Sequence, residues 1–413
     1  MSEQMKPSGI DYIGIIPCSW SIKRFKYCAQ ICNGSEYADI EVEEGGYPVI
    51  GSGGEFARAS KYSYNGQSVL LGRKGTIDKP LFIDGAFWCV DTMFYTRPQK
   101  NQVSKFLYYC TLCFRFDYYV TSTALPSMTQ KDLGSEYIAV PSMSEQQSIA
   151  DFLDKQCGKI DGIISDLEKQ IETLQKYKKS LILETVTKGL NKNVPMKSSG
   201  IDWIGDIPAH WDIKRIKDVS KMQTGTTPPN NEGVNIDGDG VNWFTPGDFI
   251  DGSIELSNSE KFVNDETIQR ESIKVYPKHS ILFVGIASIG KLGYFEKACY
   301  SNQQITAIKS NNIESSKYIA YSLLASMDYT KSNALYTTVP IINNAYLGVI
   351  KIPFPEVKEQ KEIVGFLDKK CSQIDVIVQD KQEQLEKIKQ HKKSLIYEYV
   401  TGKKRVKEAS NGN

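Results

Sequence analysis

The sequence predicts an α+β fold of two tandem globular α/β domains, each followed by a long helix, with the two helices pairing as an antiparallel coiled coil. Three observations lead to this prediction. The chain repeats itself, each copy ends in an uninterrupted heptad pattern, and the segments between the repeated parts alternate like short strands. With 413 residues, the chain is long enough for two or three domains with substantial cores.

The repeat consists of two kinds of frame that flank a variable middle. The segment MKPSGIDYIGIIPCSWSIKRFK starts at Met5 and returns 191 residues later as MKSSGIDWIGDIPAHWDIKRIK at Met196. The segment EQQSIADFLDKQCGKIDGI starts at Glu145 and returns 214 residues later at Glu359 as EQKEIVGFLDKKCSQIDVI. The order of frame, variable middle and long helix therefore occurs twice, and the second middle is about 23 residues longer (214 − 191).

The domain boundaries follow from this repeat. We predict a first domain at residues 1–143, followed by a first long helix at 144–190 and a linker with the repeated frame at 191–211. A second domain follows at 212–357, then a second long helix at 358–405 and a tail at 406–413. Pro141 and Pro355 stand just before the two helices, where proline is tolerated.

Apolar residues recur every seven positions along both helices. The predicted coiled-coil core comprises Leu153, Ile160, Leu167, Leu174 and Leu181 in the first helix and Leu367, Ile374, Ile388 and Leu395 in the second. Lys381 stands where the first helix has Leu167, so we expect the seam to be weakest there. The alternative is that each helix packs only on its own domain. Two matching helices in one chain favour pairing, and antiparallel pairing would relate the two middles by a pseudo-two-fold axis.

The two helices also share polar residues outside the predicted seam. These are Asp154, Lys155 and Lys179 in the first helix and Asp368, Lys369 and Lys393 in the second. Core packing alone does not require identical polar residues at such positions. Either the duplication is recent, or both helices offer the same surface to two copies of one partner, so these six residues are candidates for partner docking.

A glycine- and lysine-containing segment occurs in both halves of the chain. The stretch SILFVGIASIGKLGYF from Ser280 comes close to a P-loop, but Leu292 offers no hydroxyl for Mg²⁺. The matching stretch SVLLGRKGTIDKPLF from Ser68 lacks the P-loop spacing. Both therefore predict a strand, a glycine-containing turn and a second strand, with Lys79 and Lys291 on the turn and free to meet a phosphate or a base edge.

The remaining composition predicts neither a catalytic nor a metal site, and no cofactor bound by this chain. The nine cysteines are scattered, which suits a reducing cytoplasm, and the single C-x-x-C, Cys110 to Cys113, is expected to be a pair of buried structural thiols. The balance of 50 Lys and Arg against 49 Asp and Glu disfavours a non-specific nucleic-acid coat but permits a selective reader. The sequence has no apolar run of about 18 residues, so we expect no membrane insertion.

The middles are rich in Gly, Asn, Thr, Ser and Tyr, and several of their loops carry hydrogen-bonding side chains. Asn, Gln, Arg and Lys can bond bidentately to the edges of bases. The DNA-binding candidates are Arg73, Lys74, Thr76 and Lys79 in the first middle and Thr226, Thr227, Ser288, Lys291, Asn302, Gln303, Gln304, Asn343 and Asn344 in the second. Taken singly, each could instead be an ordinary solvated loop residue.

The whole pattern resembles the specificity subunit of type I restriction–modification enzymes. The resemblance rests on G-I-D-[YW]-I-G-x-I-P-x-x-W-x-I-K-R, a polar strand-rich middle and E-Q-x-x-I…FLD…I-D…KKSL…VT, all present twice over nearly the whole chain. The segment from Ser301 to Gln304 is also similar to the family. The first half departs there, with Cys89-Val-Asp-Thr92 at the corresponding place.

The resemblance implies a non-catalytic DNA sequence-specificity subunit in the cytoplasm of a prokaryote. Each middle would be a target-recognition domain that reads one half of a bipartite, asymmetric site in double-stranded DNA, and the helices would be a spacer. Two methyltransferase (modification) subunits would dock on the helices and restriction subunits would join them, so S-adenosylmethionine, ATP and Mg²⁺ would belong to the partners. The competing interpretation is a coiled-coil scaffold with two protein-binding domains.

Overall fold

The computed structural model describes residues 4–119, 126–228, 232–271, 273–332 and 341–406, so all but the first residue of the predicted tail lies outside the described residues. The chain divides into two units. The first unit contains residues 1–168 and 382–413, and the second contains residues 169–381. Each unit therefore contains part of both long helices together with one middle.

The first unit is built from short strands followed by two short helices and the first long helix. In chain order its elements are β1 Met5–Pro7, β2 Ile15–Pro17, β3 Ser21–Arg24, β4 Ala29–Asn33, β5 Tyr47–Gly51, β6 Gly54–Ala59, β7 Tyr64–Asn65, β8 Ser68–Gly72, β9 Leu81–Ile83, β10 Ala86–Cys89, β11 Met93–Pro98, α1 Ser104–Thr111, α2 Gln130–Ser135, β12 Tyr137–Val140 and α3 Met143–Lys188. Helix α3 continues into the second unit.

The second unit repeats this order with additional short helices. Its elements are β13 Met196–Ser198, β14 Asp206–Pro208, β15 Asp212–Arg215, α4 Ile216–Val219, β16 Ser220–Thr224, β17 Val234–Asn235, β18 Val241–Phe244, β19 Lys261–Val263, α5 Asp265–Arg270, β20 Ser280–Val284, β21 Leu292–Phe295, β22 Tyr300–Ser301, β23 Ile305–Ser310, α6 Ser316–Ala325, α7 Met327–Ser332, α8 Asn344–Val349, β24 Lys351–Phe354 and α9 Val357–Val400. Helix α9 continues into the first unit.

Both units contain the same antiparallel four-stranded sheet. Its strand order is β4-β11-β8-β9 in the first unit and β16-β23-β20-β21 in the second. The five residues of β20, Ser280–Val284, are all buried, which explains why this strand is a continuous apolar run. A second four-stranded sheet in each unit contains one parallel pair, β5 with β10 and β18 with β22.

The long helices pair in antiparallel fashion, as predicted. In the first unit, Lys389 of α9 forms an ion pair with Glu168 of α3, and Lys392 further along α9 pairs with Asp161, which precedes Glu168. In the second unit the Nζ atom of Lys178 lies 2.7 Å from both carboxylate oxygens of Asp375. Residue numbers rise along one helix as they fall along the other, which is the signature of antiparallel packing.

These ion pairs are pseudo-equivalent, because 214 residues separate Asp161 from Asp375 and Lys178 from Lys392. Both lysines occupy heptad positions that alternate with the predicted core, and Lys178 is only 8% exposed. A buried ammonium requires an acceptor, and the aspartate from the other helix supplies it. Lys381, expected at the weakest point of the seam, donates to the Oε1 atom of Gln170 at 2.6 Å.

The helices also pack on the units from which they emerge, but the alternative that each helix packs only on its own domain is wrong, because α3 and α9 contact each other. Leu153, Leu167, Leu367 and Ile374 are buried, whereas Ile160, Leu174, Leu181, Ile388 and Leu395 are half-buried. The deepest contacts near the helix ends come instead from Ile182 and Val186 in the second unit and from Ile396 and Val400 in the first. An ideal helix drifts relative to a strict seven-residue repeat, and tertiary packing selects these neighbours.

Candidate nucleic-acid interface

The polar candidates of the second unit meet at one edge of its four-stranded sheet. Strands β16 and β20 end at this edge and β23 and β21 begin there, because neighbouring strands are antiparallel. We call the loops 225–228, 285–291 and 302–304 the second loop edge. It brings together Thr226, Thr227, Ser288, Lys291, Asn302, Gln303 and Gln304, which are distant in sequence.

Hydrogen bonds within the second loop edge hold these side chains in place. The hydroxyl of Thr227 donates to the Oε1 atom of Gln303. The Nδ2 atom of Asn302 donates to the Oε1 atom of Gln304 at 2.9 Å, and the Gln304 main-chain N–H donates to the Oδ1 atom of Asn302 at 3.1 Å. Thr226 is anchored through its hydroxyl, which hydrogen bonds to that of Tyr300. The loop polar groups are therefore pre-organised by one another.

Asn343 and Asn344 have structural tasks at the start of helix α8. Asn343 is the N-cap, since its Oδ1 atom accepts from the N–H of Tyr346 at 2.9 Å. The Nδ2 atom of Asn344 donates to the hydroxyl of Thr224 at 2.9 Å, and its Oδ1 atom accepts from the hydroxyl of Thr306 at 2.7 Å. Asn344 thus ties helix α8 to strands β16 and β23 beside the second loop edge.

The glycine- and lysine-containing segment forms the predicted strand, turn and strand, with β20 antiparallel to β21. Gly290 has a φ of +87°, a conformation that a residue with a Cβ atom rarely adopts. Ser288 is exposed on the turn. The prediction that Lys291 is free is wrong, because its half-buried ammonium donates to the main-chain oxygen of Phe249 at 3.2 Å.

The first unit has a corresponding first loop edge, formed by loops 34–36, 73–80 and 90–92. Arg73 is half-buried, and its Nη1 atom donates to the main-chain oxygen of Asp91 at 3.3 Å. Lys74 and Lys79 are exposed, and Thr76 is half-buried. This turn is tight: a Cβ atom at Gly72, just before Arg73, would lie 2.2 Å from the carbonyl oxygen of Thr76.

Sequence reasoning missed one loop of the first edge, Asn33-Gly34-Ser35-Glu36, which corresponds to Thr224-Gly-Thr-Thr227 at the 191-residue offset. A Cβ atom at Gly34 would lie 1.9 Å from the Val90 oxygen, and one at Gly225 would lie 2.3 Å from the Ser301 oxygen. Only glycine permits such close approach of the backbones. Continuing the frame alignment beyond Lys26 would have revealed this loop.

The aspartates proposed for partner docking contact the chain itself. The Oδ1 atom of Asp154 lies 2.5 Å from the Tyr109 hydroxyl and 3.3 Å from the Lys105 ammonium. In the second unit, Asp368 accepts from the Tyr321 hydroxyl at 2.8 Å and from the Lys317 ammonium at 3.0 Å. Each aspartate therefore fastens a long helix to the short helix α1 or α6, which accounts for its presence in both copies without a partner.

The lysines proposed for docking are on the surface. Lys155, Lys179, Lys369 and Lys393 are all exposed. Lys179 forms an ion pair with Asp328 of helix α7. The four lysines are thus the part of the predicted docking set that lies on the surface of the folded chain, with Lys179 already paired to Asp328.

Cys110 is buried and Cys113 is half-buried, and both are free thiols. Burial raises the pKa of the Cys110 thiol well above its ordinary value and that of Cys113 to about 12. Among the described residues, no three His, Cys, Asp or Glu side chains are grouped so that they could hold a metal ion. No helix in the described ranges is long and apolar enough to cross a bilayer.

Comparison with known proteins places the chain in a family. Residues 20–173 and 208–387 match the type I restriction modification DNA specificity domain. The putative type I restriction enzyme MjaX specificity subunit of Methanocaldococcus jannaschii is 28% identical, with 75% of this chain and 71% of the relative covered. The type I restriction enzyme MjaVIII specificity subunit of the same organism is 25% identical, with 95% and 94% covered.

A solved structure agrees in fold. A chain from the structure described as "Structural basis underlying complex assembly and conformational transition of the type I R-M system" superposes with a TM-score of 0.66 at 16% identity, covering 93% of this chain and 98% of that one. Because the sequence identity is low, this likeness shows the fold alone. Together with the two matched segments, these findings confirm the predicted resemblance: the chain belongs to the type I restriction–modification DNA specificity family, as a specificity subunit with two recognition domains and not as a catalytic subunit.

Proposed function

We propose that this chain reads a bipartite, asymmetric site in double-stranded DNA, with one half-site bound at each loop edge. The observation that carries this proposal is the pairing of a common scaffold with different side chains. Both edges are built on the same sheet order and on the same close glycine contact. The first edge carries Arg73, Lys74 and Lys79, whereas the second carries mainly threonine and amide side chains. Two equivalent scaffolds with different polar surfaces suit two different half-sites.

The charge of the chain fits a reader that works with partners. The net charge is +1, which gives little non-specific attraction to a phosphate backbone. We therefore propose that two methyltransferase subunits, joined by restriction subunits, supply much of the phosphate contact. They would also supply the chemistry that uses S-adenosylmethionine, ATP and Mg²⁺. This chain would determine the DNA sequence at which the partners act.

The docking surface for the methyltransferase subunits is proposed on the long helices. Support comes from exposed lysines at equivalent positions of the two helices, Lys155 with Lys369 and Lys179 with Lys393. A surface that occurs twice suits a partner that binds twice. A location in the prokaryotic cytoplasm is part of the same proposal and agrees with the free state of the cysteines.

The proposal is tested by co-expressing the chain with the methyltransferase subunit of its own system in a host that lacks DNA methylation. Sequencing that detects modified bases should find two short defined sequences separated by a fixed number of unspecified base pairs. Methylation without any fixed sequence, or at one contiguous sequence, would overturn the proposal. The scaffold interpretation predicts no sequence-selective retention of DNA by the assembled complex, which a filter-binding assay with that complex measures.

A further inference from the structure

Each loop edge contains the same four-residue turn. In the first unit, the N–H of Met93 donates to the carbonyl oxygen of Val90 at 3.0 Å, and in the second, the N–H of Ile305 donates to that of Asn302 at 3.2 Å. A bond from the fourth residue back to the first is the hydrogen bond of a β-turn. The turns follow β10 and β22, which are the strands of the parallel pairs, and they lead into β11 and β23.

The backbone around the two turns is fixed by equivalent contacts. The first residue of each turn donates its N–H to a carbonyl oxygen of the neighbouring parallel strand. The Val90 N–H donates to the Ile50 oxygen at 3.3 Å in the first unit, and the Asn302 N–H donates to the Phe244 oxygen at 3.2 Å in the second. The close-packed glycine donates to the last turn residue at 3.0 Å in both units. The second residue of each turn is therefore held at the same place on the scaffold. This residue is Asp91 in one unit and Gln303 in the other.

The two side chains at this place differ in what they can recognise. Gln303 is exposed, and the Thr227 hydroxyl, by donating to Oε1, orients an amide that both donates and accepts. Asp91 is half-buried, and an ionised carboxylate only accepts. In the major groove, the amide matches the N6 and N7 atoms of adenine, whereas a carboxylate matches the N4 amino group of cytosine.

A carboxylate facing DNA is repelled by the phosphates unless a cation lies close to it. Arg73 places a cation beside this residue, since its Nη1 atom donates to the main-chain oxygen of Asp91 at 3.3 Å. Glu36 takes the place of Thr227 in the first unit at the 191-residue offset, so the first edge has a second acceptor where the second edge has a hydroxyl. The two edges therefore differ chemically at this turn and at the loop beside it, as they do at Arg73, Lys74 and Lys79.

We infer that the second residue of this turn determines one base pair in each half-site: Asp91 selects cytosine and Gln303 selects adenine. The inference rests on the proposed function and deepens it, since it names the residue that reads a given position. Arg73 acts as a positioning residue for Asp91, and Thr227 does the same for Gln303.

The test uses Asp91→Asn and Gln303→Glu, each in the full chain co-expressed with its methyltransferase subunit, with modified bases mapped by sequencing. Asp91→Asn should weaken discrimination at one base pair of the first half-site by about 5- to 150-fold, the equivalent of a contact of about 1–3 kcal/mol. Gln303→Glu should do the same at one base pair of the second half-site. In both variants the other half-site and the gap should be unchanged.

The matched control is Asp84→Asn. Asp84 is exposed beyond the far end of β9, where its carboxylate accepts from the Nε2 atom of Gln67 at 3.0 Å, and this variant should keep the full site. If the wild-type chain directs methylation to no bipartite site, the proposed function itself fails. If the wild type reads such a site and both variants keep it unchanged, or lose methylation evenly over all positions, only the inference fails. Thermal unfolding of each purified variant separates loss of folding from loss of reading, and Asp91→Ala provides a second substitution should Asp91→Asn unfold.

Discussion

The ion pair between Lys178 and Asp375 offers a sharp test of how the long helices are held in the second unit. The lysine side chain is 10% exposed and the aspartate side chain is 46% exposed. The pair should therefore be asymmetric. Removing the carboxylate leaves an ammonium buried without its counter-charge, whereas removing the ammonium leaves a carboxylate that water can still reach.

The expected magnitudes follow from this difference in exposure. Breaking a fully buried ion pair costs about 3–5 kcal/mol, and the solvent contact of Asp375 reduces the cost of Asp375→Asn to about 2–3 kcal/mol. Lys178→Met should cost no more than about 1 kcal/mol, as expected for a half-exposed partner.

The first unit provides a matched control of the same chemistry. In the pseudo-equivalent pair, the side chain of Lys392 is 27% exposed and that of Asp161 is 55% exposed. Water can solvate the unpaired ammonium more easily at this position. Asp161→Asn should therefore cost about 1 kcal/mol, although it removes the same contact from the same heptad position.

Hydrogen–deuterium exchange of peptides from the two long helices measures these costs locally, without assuming that the whole chain unfolds in one step. Exchange in segments 169–188 and 357–381 should be about 30- to 150-fold faster in Asp375→Asn, and about fivefold faster near Asp161 in Asp161→Asn. The reasoning is refuted if the two aspartate variants have equal effects. It is refuted equally if Lys178→Met is as disruptive as Asp375→Asn.

The remaining predictions concern the loop edge, a buried thiol and a helix contact. Gly225→Ala should lower methylation at the second half-site at least tenfold, because the new Cβ atom would lie 2.3 Å from a main-chain oxygen. Gly53 has open space around it, so Gly53→Ala should leave methylation unchanged. Burial raises the pKa of the Cys371 thiol from 9.0 to about 11. The unfolded chain therefore loses this thiol proton first, so the contribution of the thiol to stability should be fully present below pH 9 and be lost as the pH rises towards 11. Thermal unfolding of Cys371→Ala should show a weaker pH dependence over this range. Asp368→Asn should loosen helix α6 by about 1–2 kcal/mol, and unchanged exchange rates there would contradict this.

The duplicated architecture was predictable because its determinants are local or repeated. The heptads require only a periodic apolar pattern, and two matching helices in one chain favour pairing; the sequence favoured the antiparallel arrangement without requiring it. The turn between β20 and β21 was also predictable, since the apolar runs and glycines specify it without distant partners.

The site could be predicted only in part, because its contacts are distant in sequence. The sequence places Lys178 at a core position, but its partner lies 197 residues away. Lys291 could be located on its turn, whereas the acceptor that immobilises it belongs to a loop 42 residues earlier. Asn344 has the residue type expected of a base reader, yet the structure uses it to join helix α8 to two strands. Residue type and loop position therefore identify the edge, but not which side chains remain available.

The role of the two aspartates shared by the helices, Asp154 and Asp368, could not be predicted from the sequence either. Their presence in both copies is as compatible with a repeated partner as with a repeated internal contact. The structure supplies the internal explanation, because Asp154 and Asp368 each bind a tyrosine and a lysine of a short helix in the same unit. In a single sequence, a duplicated internal contact and a duplicated docking surface both appear as identical residues at equivalent positions.

The exchange of residues 212–357 for the corresponding segment of another specificity subunit tests the central claim most directly, with methylated sites mapped before and after the exchange. If each edge reads its half-site independently of the other, one half of the methylated sequence changes while the other half is retained. A change in both halves, or in neither, would contradict it.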